Sequence, residues 1–244
     1  MSVHRARVSR QTSSYVVLDD FLPPALFDEV FRACNAAEYR LVHADRVQKV
    51  WRLNDGLPLR GPSYTYRAGQ GADGSAHHTT GTALDDFLDA LVHAMDLAGE
   101  VVGRPVHDWQ EATLAPWIYP QDSGLSLHQD TGRGPVGQYF TGSYTYYVNR
   151  TWNLHWGGWL MLLDPADATP ATAPVGGPGV SPPWLADEVE RVWVDGPGVA
   201  TAVLPAPNRI VFISPAVRHL ITRVDRNAGQ HARVSLAGFF VHKG

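Results

Sequence analysis

Cysteine occurs once, at Cys34, so no internal disulfide can form and no zinc site with two or more thiolates can be built within one chain. A lone cysteine in a helical pattern reads as a small buried apolar residue rather than a nucleophile. Lysine is almost missing: Lys49 and Lys243 stand alone, and arginine carries the remaining positive charge. There is no basic excess either, with a formal charge of -4 and a pI near 6.2. Neutralising phosphates needs a basic face, so a nucleic-acid binder is set aside. No run approaches the ~20 apolar residues of a membrane span. The opening MSVHRARVSRQTSS is basic and polar, without an apolar signal core. The expectation is a cytoplasmic protein with neither nucleic acid nor membrane as partner.

What the chain has is apolar residues, 44% of 244, enough to fill a sizeable core. Residues 1–14 read as a flexible arm and 15–244 as a single domain. YVVLD (15–19) reads as a strand. A helix is expected after Pro23 and Pro24, with Leu26, Phe27, Val30 and Phe31 at helical spacing. A strand is expected over 46–53, turn chemistry over NDGLPLRGPS, a loop over 68–80 and a second helix over about 82–103. Beyond Trp109 the pattern changes to short β-like runs between turns: EATLAPWIY, GLSLHQD, SYTYYVN, GGWLMLLD, VERVWVD, VATAVLP, NRIVFIS, HLITRV and ARVSLAGFFVH. Such a series predicts a mainly β sandwich or barrel, with the earlier helices packed on one sheet face. Residues 164–183 read as a long Pro/Gly/Ala/Thr loop, with a lid, an interface element and a disordered insertion as the alternatives.

His128 and Asp130 lie in Leu-His-Gln-Asp at the end of a strand-like run. In a strand, i and i+2 project to one face, so imidazole and carboxylate can reach one ion. A third ligand must come from elsewhere, and His219, opening the run HLITRV, is the best candidate. His155 and the His77–His78 pair are the alternatives, ranked lower because they sit in turns and loops. Two imidazoles and one carboxylate on one side of a metal suit a non-haem Fe(II) oxygenase, which needs open positions for cosubstrate and O2. Arg233 and Ser235 share a face of the last strand-like run. There a guanidinium and a hydroxyl can grip a carboxylate.

The ordered set resembles the 2-oxoglutarate/Fe(II)-dependent dioxygenase superfamily, in particular its prolyl 4-hydroxylase-like branch. The resemblance runs from about residue 15 to 241. Its carriers are VLDDFLPPALFDEVF, Tyr119…Gly124…His128-Gln129-Asp130, Tyr147-Val148-Asn149 with Trp152 and Gly157-Gly158-Trp159-Leu160, Pro205-Ala206-Pro207-Asn208-Arg209-Ile210-Val211-Phe212, and His219…Val224…Arg233-Val234-Ser235. It implies a double-stranded β-helix, or jelly-roll, with His128, Asp130 and His219 on iron. By the same resemblance, Arg233 and Ser235 bind 2-oxoglutarate and Tyr119 donates a hydrogen bond to it. The implied activity is hydroxylation of a small molecule by O2, releasing succinate and CO2, with ascorbate as a supporting reductant. Two departures stand out. The branch usually places lysine where this chain has Arg233, and the turn Asp225–Gln230 leaves Arg223 as an alternative cosubstrate contact. Trp117, Tyr144, Tyr146, Trp152 and Trp156 are candidates for pocket lining, and Arg52 and Arg67 for meeting an anionic substrate. The competing classes are a cupin-like metalloenzyme without 2-oxoglutarate and a non-catalytic jelly-roll binding module. Neither the substrate nor the oligomeric state is legible.

Overall fold

The computed structural model describes residues 6–42, 55–69, 80–130, 138–163 and 200–244. The strands expected at 46–53 and in VERVWVD lie outside these residues, as do Arg52, the His77–His78 pair, most of the 68–80 loop and the 164–183 loop.

In chain order the elements are β1 (Arg7–Gln11), β2 (Tyr15–Asp19), α1 (Pro24–Ala36), β3 (Arg40–Leu41), β4 (Leu59–Arg60), β5 (Tyr64–Arg67), α2 (Ala83–His93) and α3 (Met95–Val102). Then follow β6 (Glu111–Tyr119), β7 (Leu125–Gln129), β8 (Tyr139–Tyr147), β9 (Leu160–Leu163), β10 (Thr201–Val203), β11 (Ile210–Ile213), β12 (Arg218–Ile221) and β13 (Arg233–His242). Two antiparallel sheets result. The larger runs β1-β2-β11-β8-β13-β6-β4-β3, with β5 also paired to β6; the smaller runs β10-β9-β12-β7. Two antiparallel sheets face to face with helices on one outer side make the expected jelly-roll core with flanking α structure.

Two readings are corrected. Part of the expected flexible arm, Arg7–Gln11, is β1, which pairs with β2 and is held by an Arg7–Asp19 ion pair of 2.9 Å. The pairing satisfies an edge of β2 that would otherwise be open. The single helix expected over 82–103 is two, α2 and α3, divided at Ala94. There the backbone tightens (ψ -8°), and Leu97 N–H bonds the Ala94 carbonyl three residues back. Thr82 caps α2 by accepting from Leu84 N–H, with Asp85 and Asp86 in its first turn.

Residue parity sorts the large sheet. Even-numbered residues of its central strands, among them Val16, Leu18, Leu114, Tyr144, Tyr146, Ile210, Phe212 and Leu236, pack under α2 and α3 with Phe87, Leu88, Leu91 and Ala98. Odd-numbered ones face the small sheet: Tyr15, Val17, Tyr147, Val211 and Ile213 meet Leu160, Leu162, Val203 and Val217. This follows from the two-residue period of a strand. It sends one parity of β6, β8 and β13 into the space between the sheets.

Candidate metal centre

β7 and β12 pair antiparallel with His219 directly opposite His128, and their ring centroids are 4.2 Å apart. Asp130 follows the last residue of β7 and turns its carboxylate back over both rings. Its oxygens lie 3.6 Å from His128 Nε2 and 3.4 Å from His219 Nε2. These spacings exceed a good hydrogen bond. They suit atoms that each sit ~2.1 Å from a shared ion, which places neighbouring donors roughly 3 Å apart. The three donor atoms fall within 4.8 Å of one another, and the side chains are only 13%, 9% and 8% exposed for His128, Asp130 and His219.

The imidazoles are oriented from behind. His128 Nδ1 is 2.9 Å from the Ser126 carbonyl and His219 Nδ1 is 3.1 Å from the Val217 carbonyl. A carbonyl only accepts, so each Nδ1 carries the proton and each Nε2 lone pair is left for an ion. Ser126 is itself anchored, because Asp55 Oδ1 accepts from its N–H at 2.9 Å and from its hydroxyl at 2.6 Å. Asp55 is 3% exposed and lies in the stretch read as turn chemistry, so its supporting place was not foreseen.

Arg233 opens β13 and is fully buried. It pairs with Tyr119 of β6, while Ser235 pairs with Tyr147 of β8. The guanidinium lies between the two phenol rings, 4.9 Å from the centre of Tyr119 and 5.0 Å from that of Tyr147. Nη1 donates to Ser235 Oγ at 3.1 Å, whereas Nε and Nη2 have no hydrogen-bond partner. A buried cation with two undirected N–H groups is costly unless an anion arrives. Burial pushes the Tyr119 phenol well up, against the opposing pull of Arg233, so Tyr119 stays a protonated donor. Gly158 makes room: a Cβ there would stand 3.2 Å from Arg233 Cδ, and the backbone has φ +65°.

One cavity of about 740 Å³ between the sheets takes in His128, Asp130, His219, Arg233, Ser235 and Tyr119. The six residues singled out from the sequence therefore meet in one place. The alternatives do not join them: His155 is exposed on a short 3-10 turn, and Arg223 is exposed with Nη1 directed at the Asp122 carbonyl. Of the expected lining aromatics, Trp117 faces the cavity, whereas the Tyr144 ring packs against Phe87 in the helix-side core. Tyr146 belongs to the helix-side core, and Trp152 packs with Tyr119 and Trp156 behind Arg233. Arg67 is turned outward onto Glu111 at 3.2 Å. Arg60 and Tyr147 were missed.

No protein-family model matches the chain, and no curated protein matches it in sequence. Solved structures do resemble it. A Pseudomonas putida prolyl-4-hydroxylase is 17% identical with a TM-score of 0.54, over 95% of this chain and 94% of its own. A 2OG-Fe(II) oxygenase family protein from Burkholderia pseudomallei is 13% identical with a TM-score of 0.55, over 98% of this chain and 94% of its own. The non-haem α-ketoglutarate-dependent epimerase SnoN from nogalamycin biosynthesis is 12% identical with a TM-score of 0.53, over 94% of this chain and 78% of its own. The chain thus has the jelly-roll fold shared by prolyl-4-hydroxylase-like and 2-oxoglutarate/Fe(II) oxygenase structures.

Proposed function

We propose that residues 15–244 act as one 2-oxoglutarate- and Fe(II)-dependent oxygenase domain that hydroxylates a small organic molecule. The observation that carries this reading is the buried Arg233 guanidinium, with two unpartnered nitrogens, in the same cavity as the His-Asp-His cluster. A cupin-like metalloenzyme would need the cluster but has no use for that cation. A binding module with a degenerate site would be expected to lack one candidate ligand, whereas the donor atoms of His128, Asp130 and His219 lie within 4.8 Å of one another.

In this reading His128 Nε2, Asp130 and His219 Nε2 are the groups that would hold iron. When bound, iron supplies the O2 chemistry that couples substrate oxidation to conversion of 2-oxoglutarate into succinate and CO2. The chain contributes the rest. Arg233 and Ser235 take the distal carboxylate, and Tyr119 donates its phenolic proton to the cosubstrate. The sheet walls exclude bulk water and fix the approach of the reacting carbon. Asp130 fills a ligand position with carboxylate, which favours oxygenation over halide transfer. The cavity is the size of a small-molecule pocket, which supports a metabolite such as an amino acid derivative or natural-product intermediate over a protein surface.

The test is succinate release from 2-oxoglutarate with Fe(II), O2 and ascorbate across a small-molecule panel. The expected outcome is coupled turnover that Asp130→Ala abolishes. Turnover unchanged in that variant would overturn the ligand assignment, and none with any panel member would favour the other two classes.

A further inference from the structure

The proposed cofactors leave one cation of the cavity without a role. Among the described residues lining it, the charged side chains besides the histidines are Asp130, Arg233 and Arg60. Arg60 ends β4, in a stretch that reads from sequence only as a turn. Its Cα pairs with Trp117 of β6, and Trp117 pairs in turn with Ser235 of β13. Directly paired residues share a sheet face, so Arg60, Trp117 and Ser235 stand in one transverse row facing the small sheet. At ~4.8 Å per strand, Arg60 is roughly 10 Å from the Ser235 position. It is therefore a second positive centre, separate from the proposed cosubstrate clamp. The guanidinium is partly buried, lies 5.3 Å over the Trp117 ring and donates to Ser63 Oγ. Stacking on an indole holds the planar fork in place, and that is the form in which arginine recognises a planar anion best. Farther along the same face the cavity wall is aromatic, with Phe140 stacked on Phe239 at 4.4 Å.

We propose that Arg60, held on Trp117, is the anion subsite for the prime substrate, and that this substrate is a small organic carboxylate with an apolar or aromatic body. A phosphate dianion costs more to bring into a largely apolar cavity than a carboxylate, which carries a single charge. The proposal rests on the oxygenase reading for what happens to the substrate, but the subsite can be tested apart from it.

The experiment is calorimetric titration of the Mn(II)-loaded protein, saturated with 2-oxoglutarate, with matched probes: 3-phenylpropionate against 3-phenylpropanamide, and indole-3-acetate against indole-3-acetamide. The carboxylate of at least one pair binds about 10- to 100-fold tighter than its amide, the range of a hydrogen-bonded charge. Arg60→Gln removes that preference and Arg60→Lys keeps part of it. A preference that survives in Arg60→Gln, or no carboxylate preference in either pair, overturns the proposal. Binding of 2-oxoglutarate to the Mn(II) protein is measured in the same series. Its failure with the Arg60-dependent preference intact sinks the oxygenase reading and leaves the subsite standing.

Discussion

Tyr146 and Tyr147 are neighbours on β8, both fully buried, and they point to opposite faces of the large sheet. On the helix side the Tyr146 hydroxyl donates to Asn208 Oδ1 at 2.8 Å, and Tyr144, two residues away, donates to the Thr113 carbonyl at 2.9 Å. On the inner side the Tyr147 hydroxyl makes no well-directed hydrogen bond and its ring lies against the Arg233 guanidinium. The Ser143 hydroxyl and two nitrogens of Arg233, also on the inner face, lack partners too. The same strands thus carry a closed apolar core on one face and polar atoms awaiting partners on the other. Unsatisfied buried groups cost stability, so they persist where a ligand completes them. The outer face has its hydroxyls paired within the fold; the inner face keeps buried polar atoms that are not.

That contrast can be broken by substitution. Arg233→Met should lower 2-oxoglutarate affinity about 100-fold or more, because it removes the charged partner of a buried carboxylate. The melting temperature of the ligand-free protein should hold or rise, since an uncompensated cation has been replaced by an apolar side chain. A marked fall in stability with unchanged affinity would erase the distinction between the faces. Leu236→Ala, one strand turn away on the helix side, should do the reverse. It costs about 2–5 kcal/mol in denaturant unfolding and leaves the KM for 2-oxoglutarate alone. Tyr119→Phe should weaken 2-oxoglutarate by about 2- to 10-fold in calorimetric titration, the worth of one neutral hydrogen bond.

The smallest effect concerns Cys34, buried under the helices, whose thiol is pushed by desolvation from 9.0 up to about 12. At pH 8 it should resist alkylation until the chain unfolds, which timed mass spectrometry would show. The folded state keeps this proton where the unfolded chain releases it. Its contribution is therefore whole below pH 9 and fades as pH rises towards 12.

Much of this was legible in the residues. YVVLD and EATLAPWIY are β2 and β6 to the residue, because turn residues bound runs of strand-forming side chains. His128 and Asp130 could be paired because spacing of two gives one face, and His219 because it opens a separate run. What alternation does not say is which parity faces the metal. Tyr144, Tyr146 and Tyr147 looked alike in SYTYYVN until pairing assigned their faces. Arg60 was hidden because β4 is two residues long, too short to carry a period, and its role comes from a partner strand far along the chain. Asp55 sits in the same kind of stretch and acts through Ser126. The break at Ala94 left no mark because alanine is the best helix former and caps nothing.

The central claim is that two imidazoles and one carboxylate hold a single divalent ion beside a guanidinium that receives the cosubstrate. Titration of the metal-free protein with Mn(II), followed by electron paramagnetic resonance of the free ion, tests it most directly. One ion bound per chain, lost in Asp130→Ala and held more tightly when 2-oxoglutarate is added to the protein with Arg233 intact, is the predicted result. Equal metal uptake by the wild type and Asp130→Ala would contradict it.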